Sequence, residues 1–228
     1  MRFNWKLWIF LGLEIFLYYM ILFEGGILSQ AGCFASVVLC CLYALVYKKQ
    51  SNHLLMAGLC CTVAADFCLI LCNPVQRLWG MVFFLGAQIM YAFWLQRNSG
   101  HNLFILVRAV VSAFTIFITV HVLKSNTDML AIVSLCYYAN LIMNIFVAFF
   151  QFRKDSVFPV ALVLFILCDT VIGLQVASGN YISIGENSTL YRLIFMDFNL
   201  AWFFYLPSQV LIALRCAGIQ KFCKRSMG

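Results

Sequence analysis

Two acidic residues lie in stretches of sequence that are otherwise apolar. Asp66 follows Gly58-Leu-Cys-Cys-Thr-Val-Ala-Ala65, and Asp169 follows Val163-Leu-Phe-Ile-Leu-Cys168. A carboxyl group at the centre of a membrane helix costs about 2.5–3.5 kcal/mol on insertion scales, so it calls for a partner or a chemical role. Two neighbouring carboxyl groups, one protonated and one ionised, can perform acid–base catalysis. We therefore expect Asp66 and Asp169 to meet inside a bilayer as a catalytic pair.

The composition of the chain is that of a protein embedded in lipid. Of 228 residues, 64% are hydrophobic and only 10% are charged, which leaves too little polar surface for a soluble globule. The first apolar run lacks a small-residue cleavage site, so we interpret it as a retained helix. The fold class predicted is an all-α, polytopic bundle of eight transmembrane helices, over residues 5–23, 27–47, 54–72, 78–95, 103–123, 129–150, 157–176 and 190–214.

The distribution of charge predicts the orientation of these helices. Eleven of the fifteen Lys and Arg residues fall at one set of helix ends and three at the other, which predicts that both termini are cytoplasmic. This bias accounts for the net charge of +7 without a nucleic acid partner. The remaining base, Arg108, lies within the fifth segment, and we interpret it as a side chain that extends toward the interface rather than as a substrate contact. The eleven cysteines and three histidines form no set with metal-ligand spacing, so no metal or cofactor is predicted.

A weak internal repeat relates the two halves of the chain. We expect one transmembrane domain over residues 1–228, with repeats at about 5–95 and 103–214. Asp66 and Asp169 each lie twelve residues after the start of their segments, which places both about 18 Å into the bilayer. The segments that follow contain similar motifs, Gly86-Ala-Gln88-Ile-Met-Tyr-Ala92 and Pro207-Ser-Gln209-Val-Leu-Ile-Ala213. Parallel repeats place binding sites at their shared interface.

Polar residues on neighbouring segments could surround the two carboxyl groups. Helical spacing puts Gln88 and Tyr91 on one face and Tyr205 and Gln209 on another, while the sixth segment carries a polar stripe of Tyr137, Asn140 and Asn144. The alternative is that these residues only form interhelical hydrogen bonds, worth about 0.6 kcal/mol each. Glu14, inside the first segment, is a second-rank candidate. The residues that we expect to bind substrate are Gln88, Tyr91, Asn140, Tyr205 and Gln209.

Four short motifs, taken together, resemble a known family. They are Ala65-Asp66, Phe84-Leu-Gly-Ala-Gln88-Ile-Met-Tyr91, Cys168-Asp169 and Tyr205-Leu-Pro-Ser-Gln209-Val-Leu-Ile-Ala213. In order and spacing, over residues 54–214, they resemble the lysoplasmalogenase family of YhhN-like membrane proteins. The chain differs from the family pattern at Gln88, where His is usual, at Ala65, where Gly is usual, and at Cys168, where Ser is usual. An amide cannot transfer a proton near neutral pH as imidazole can.

The resemblance implies hydrolysis of the vinyl ether bond of a lysoplasmalogen. The products would be a fatty aldehyde and glycerophosphoethanolamine or glycerophosphocholine. It also implies a lysophospholipid substrate surrounded by membrane lipids, and a location in the bacterial cell membrane, or in an endomembrane if the organism is eukaryotic. Two other functions stay open: a proton-coupled transporter in which the same acids relay protons, and a lipid-binding protein that has lost catalysis. The acid and base roles of the two Asp residues, the preferred head group and the oligomeric state also stay open.

Overall fold

The computed structural model describes residues 5–23, 27–47, 52–99, 103–123, 128–151, 155–180, 185, 188–196 and 198–218. Within these ranges the chain is almost entirely helical and has no β-strand, so the predicted all-α bundle is confirmed. The helices are α1 (Trp5–Phe23), α2 (Ile27–Val46), α3 (His53–Asp66), α4 (Arg77–Ser99), α5 (Leu103–Leu123), α6 (Met129–Phe150), α7 (Val157–Asn180), α8 (Thr189–Ile194) and α9 (Leu200–Cys216).

Seven stretches of the described ranges are long and apolar enough to cross a membrane. They correspond to the first seven predicted segments. Helices are the form expected there, because lipid offers no hydrogen-bond partners to the backbone and a helix satisfies its own polar groups. The protein is therefore a membrane protein. The end of the bundle that holds Trp5 and Cys216 is the predicted cytoplasmic end.

The predicted eighth segment, residues 190–214, is not one continuous helix. It is divided into α8 and α9, and each has its own capping side chain. Ser188 Oγ accepts a hydrogen bond from the Tyr191 amide at 3.1 Å, and Asn199 Oδ1 accepts one from the Trp202 amide at 3.4 Å. Such a cap satisfies a free N–H group at a helix start and so begins a new helix. With 17 residues, α9 is about 25 Å long, shorter than the seven candidate spans.

The third predicted segment also departs from a regular helix. The α-helical part, α3, ends at Asp66, and residues Phe67–Leu71 continue as a π-helical turn, closed by a hydrogen bond from the Cys72 amide to the Phe67 carbonyl at 3.2 Å. The wider turn changes the direction in which the following side chains point. Single π-helical turns are often found at functional sites, and this one begins immediately after a buried acid.

Close helix pairs position the centre of the bundle. Helix α3 packs along α4, α7 packs along α9, and α4 also packs against α6, whereas α5 packs chiefly against α6. The α3–α4 contact is very close at Gly58, where an added Cβ would lie 2.1 Å from Cε1 of Tyr91. Only a glycine at position 58 lets the Tyr91 ring come this close to the backbone of α3. This contact fixes the distance between α3, which carries Asp66, and α4.

An ion pair and a cation–π contact join three helices at the predicted cytoplasmic end. Arg215, near the end of α9, donates from Nε to Oδ2 of Asp155, which lies just before α7. Asp155 also caps α7, because its Oδ1 accepts from the Phe158 amide at 3.3 Å. The guanidinium group of Arg215 lies 5.0 Å from the ring centre of Trp94 on α4. This arrangement fixes the relative positions of α4, α7 and α9.

Candidate active site

Asp66 is buried at the end of α3, with only 4% of its surface exposed. Its Oδ2 accepts a hydrogen bond of 2.6 Å from the hydroxyl group of Tyr205 on α9. Hydrogen bonds to a carboxylate are short and strong when the donor is well placed. The contact joins residues 139 positions apart and holds the carboxyl group in one orientation.

Asp169 has a similar tyrosine partner on a different helix. The side chain is half-buried near the middle of α7, and its Oδ2 accepts a hydrogen bond from the hydroxyl group of Tyr137 on α6. The next residues on the same two helices form a neutral pair, in which the hydroxyl groups of Tyr138 and Thr170 are 2.8 Å apart. Two adjacent hydrogen bonds thus fix α6 against α7 at this level.

The two tyrosine–carboxyl pairs lie side by side. The ring of Phe84 on α4 is 5.7 Å from the ring of Tyr137 and 6.4 Å from the ring of Tyr205. The two tyrosines that hold Asp66 and Asp169 are thus neighbours of the same aromatic ring. The structure therefore brings together three of the predicted site residues, Asp66, Asp169 and Tyr205.

Tyr137 is part of this arrangement, although we did not predict it as a site residue. The sequence placed it in the polar stripe of the sixth segment, and only the packing of α6 against α7 gives it Asp169 as a partner. One signal was present in the sequence. Tyr137 shares a helical face with Asn140 and Asn144, and such a stripe on a membrane helix indicates a face turned toward other polar groups.

Gln88 and Asn140 belong to a second polar group, which we call the Arg108 cluster: Gln88, Arg108, Ser112, Asn140 and Asn144. Asn144 donates from Nδ2 to Oε1 of Gln88 at 2.8 Å, and its Oδ1 accepts from Nη2 of Arg108 at 2.6 Å. Asn140 accepts weakly from Nη1 of Arg108 at 3.5 Å and donates to Oγ of Ser112 at 3.2 Å. Asn140 also donates from Nδ2 to the Cys136 carbonyl at 2.9 Å, and among the described residues neither Gln88 nor Asn140 forms a hydrogen bond with Asp66 or Asp169. These two predicted site residues therefore belong to one cluster, which Gln88 joins through Asn144 and Asn140 joins through Arg108 and Ser112.

Tyr91 and Gln209 are completely buried in the core. Tyr91 packs against Gly58 and against the ring of Phe158, 5.6 Å away, so its surroundings are largely apolar. Gln209 lies one helical turn after Tyr205, and neither its Nε2 nor its Oε1 has a hydrogen-bond partner in the described part of the chain. A buried amide without a partner is costly. A water molecule or an oxygen atom of a substrate could act as the hydrogen-bond partner of this amide.

A third membrane carboxyl group, that of Glu14, lies in separate surroundings. Glu14 on α1 is 2% exposed and accepts hydrogen bonds from Ser36 at 2.6 Å and from Cys40 at 3.3 Å, both on α2. These contacts join α1 to α2. No set of three or more His, Cys, Asp or Glu side chains is arranged to hold a metal ion in the ranges that the structure describes.

Comparison with known proteins identifies relatives at the level of a family. The model of the YhhN family matches residues 30–216, which is most of the chain and includes both Asp residues and all the predicted site residues. No curated protein and no solved structure matches the chain significantly.

Proposed function

The chain belongs to the YhhN family, and from that premise we propose that it is a membrane-embedded hydrolase of lysoplasmalogens. The reaction would cleave the vinyl ether bond and release a fatty aldehyde and glycerophosphoethanolamine or glycerophosphocholine. One observation carries the proposal. Two carboxyl groups lie inside a membrane bundle, each is held by a tyrosine hydroxyl, and the rings of both tyrosines lie beside the ring of Phe84.

The first chemical step requires an acid. A vinyl ether is activated when a proton adds to the carbon farther from oxygen, because the positive charge that forms is shared with the ether oxygen as an oxocarbenium ion. A protonated carboxyl group can deliver that proton, and a neighbouring carboxylate can stabilise the cation. Asp66 and Asp169 supply both groups, as the paired carboxyl groups of glycoside hydrolases do for a related cation.

The second step requires a base and water. Water adds to the carbon that bears the oxygen, and its proton passes to the carboxylate, which gives a hemiacetal. The hemiacetal then collapses to the aldehyde and the free glycerol hydroxyl group, so that one water molecule is consumed in each turnover. Among the described hydrogen bonds, the tyrosine hydroxyls contact only Oδ2 of each Asp, which leaves Oδ1 for the substrate and the water. The side-chain amide of Gln209, one helical turn after Tyr205, has no hydrogen-bond partner among the described residues, and it can orient the substrate or the water.

Isotope labelling of the reaction products tests this proposal. The purified protein in lipid nanodiscs is incubated with a lysoplasmalogen in deuterated water, and in a parallel sample in water labelled with ¹⁸O. We expect a fatty aldehyde with one deuterium at the carbon next to the carbonyl group, and a glycerophosphoethanolamine that contains no ¹⁸O. An ester-linked lysophospholipid of the same chain length is the matched control and should stay intact. Absence of aldehyde, or ¹⁸O in the glycerol product, would contradict the mechanism.

A lipid-binding protein without catalysis is the second candidate, and Gln88 is the observation that favours it. The amide stands where the family usually has His, and it is engaged with Asn144 in the Arg108 cluster. Lysolipid that copurifies with the protein and is never converted would support this alternative. Uptake of a labelled solute into proteoliposomes, without chemical change, would instead support the transporter.

A further inference from the structure

Arg108 is a charged residue inside a membrane helix, and no acidic side chain pairs with it among the residues that the structure describes. It lies five residues after the start of α5, about 7.5 Å into that helix, and it is half-buried. Its described hydrogen bonds go to the side-chain oxygens of Asn144 and Asn140 on α6. The ion pair that the structure shows among the described residues is the one between Arg215 and Asp155, which does not involve Arg108.

Two asparagine oxygens do not neutralise a guanidinium group. The group carries five N–H donors, and the described contacts use two of them. A cation within the hydrocarbon region is costly unless an anion or interfacial water compensates it. The planar arrangement of the free donors matches phosphate particularly well. The Arg108 cluster thus holds a cation in place, through Asn140 and Asn144, with donors left over for an anion.

From this geometry, and on the premise of the proposed function, we propose that Arg108 binds the phosphodiester group of the lysophospholipid substrate. The distance between the Arg108 cluster and the carboxyl groups matches the distance between the phosphate and the ether oxygen of the substrate. Asn144, which holds the guanidinium group, lies seven residues from Tyr137 on α6, or about 10 Å along the helix axis. In the substrate, five bonds of about 1.5 Å separate the phosphorus from the ether oxygen, an extended span of ~6 Å. A charge-assisted hydrogen bond adds ~3 Å. The phosphate can therefore reach Arg108 while the ether lies at the carboxyl groups.

The position of α5 suits the entry of a lipid. This helix packs chiefly against α6, and its neighbouring side chains Ile105, Leu106 and Val110 are exposed, as expected for a surface in contact with lipid. Arg108 lies on the half of α5 nearer the predicted cytoplasmic end. A lysophospholipid in that leaflet already has its phosphate at this side of the membrane.

Two substrates that differ only in the phosphate test this assignment. We compare kcat/KM for a lysoplasmalogen and for the 1-alkenylglycerol of the same chain length, in the wild type and in the Arg108→Met variant. We expect the variant to lose about tenfold to a hundredfold in kcat/KM on the lysoplasmalogen, chiefly through KM, and less than threefold on the alkenylglycerol. Arg97→Met is the matched control, because Arg97 is an exposed arginine in the last turn of α4 at the same end of the bundle. The Arg97→Met variant should leave kcat/KM unchanged on both substrates.

The ratio of the kcat/KM values for the two substrates distinguishes an effect on phosphate binding from an effect on folding. Equal losses on both substrates would show that Arg108 serves only to join α5 to α6, and would overturn the proposal. Because the ratio is measured in one preparation, partial unfolding does not alter it. If Arg108→Met cannot be purified, Arg108→Lys replaces it and should show a smaller loss in the same direction, since it keeps the charge but not the planar fork.

A binding measurement keeps this proposal independent of catalysis. Nanodiscs containing the wild type or the Arg108 variant are titrated with a fluorescent lysophospholipid and with a fluorescent monoacylglycerol. We expect the variant to bind the lysophospholipid at least tenfold more weakly and the monoacylglycerol equally well, even if neither protein hydrolyses anything. Inorganic phosphate is the third ligand. If it competes as well as the lipid does, the site takes a soluble anion and the assignment to a lipid head group is wrong.

Discussion

Removing the hydroxyl group of Tyr205 should slow the reaction without disturbing the fold. The Tyr205→Phe variant keeps the ring, which packs 5.4 Å from Phe165 and 4.9 Å from Trp202, and loses only the 2.6 Å hydrogen bond to Asp66. A hydrogen bond to a charged group contributes about 1.5–3 kcal/mol. Since Asp66 is buried, no bulk water replaces the lost donor. We expect kcat/KM to fall about 10- to 150-fold, the ratio that corresponds to this range of free energy.

The assay is hydrolysis of a lysoplasmalogen by the purified variant, with aldehyde release as the signal. Tyr137→Phe should show a similar loss, because it removes the donor to Asp169. Tyr138→Phe is the matched control: it also removes a tyrosine hydroxyl group from a hydrogen bond, but the partner is Thr170. It should retain activity within twofold of the wild type. The reasoning is refuted if Tyr205→Phe is folded and as active as Tyr138→Phe.

Two predictions concern the packing that positions the site. Asp155→Asn should lower the free energy of unfolding by about 3 kcal/mol, because it leaves the partly buried Arg215 without its counter-charge. Thermal unfolding followed by fluorescence measures the loss. An unchanged Tm would show that the ion pair contributes nothing to stability. Gly58→Ala should cost about 1–3 kcal/mol, because the new methyl group would lie 2.1 Å from the ring of Tyr91. The double variant with Tyr91→Leu should recover part of this loss, and an additive double variant would exclude a steric cause.

The sequence predicts the acids of the site better than it predicts their partners. Asp66 and Asp169 stand out because carboxyl groups are rare in apolar runs, and equal distances from the segment starts indicate equal depth. Tyr205 could be proposed because it belongs to a motif. Tyr137 could not be assigned to Asp169, because the contact depends on how α6 is rotated against α7, and hydropathy contains little information about rotation.

The polar residues that we expect around the two carboxyl groups form two separate groups in the structure. The described side-chain hydrogen bonds of Gln88 and Asn140 are with other members of the Arg108 cluster and with the Cys136 carbonyl rather than with the acids. Nothing in the sequence indicates that the side chain of Arg108 turns toward other helices, since a long basic side chain near a helix end usually extends to the interface. The pairing of Arg108 with Asn144 arises from the contact between α5 and α6, a tertiary feature that helical periodicity does not specify.

The break in the eighth segment was missed for a related reason. Half of α8 and most of α9 consist of apolar residues, so a hydropathy profile joins them. The caps at Ser188 and Asn199 are visible in the sequence, but a polar residue in a hydrophobic run does not by itself end a helix. The π-helical turn after Asp66 has no sequence signature at all. That turn directly follows Asp66 in the candidate site, and functional sites are where local rules are most often broken.

The central claim is that Asp66 and Asp169 work as one unit, and a double-mutant cycle on turnover tests it most directly. An amide cannot exchange the proton, so Asp66→Asn and Asp169→Asn should each lower kcat by at least about a hundredfold. The double variant should be no more than a few-fold slower than the worse single variant, because groups that act together are not additive. Glu14→Gln replaces another buried carboxyl group and should keep wild-type turnover. Full turnover by either folded single variant would contradict the account.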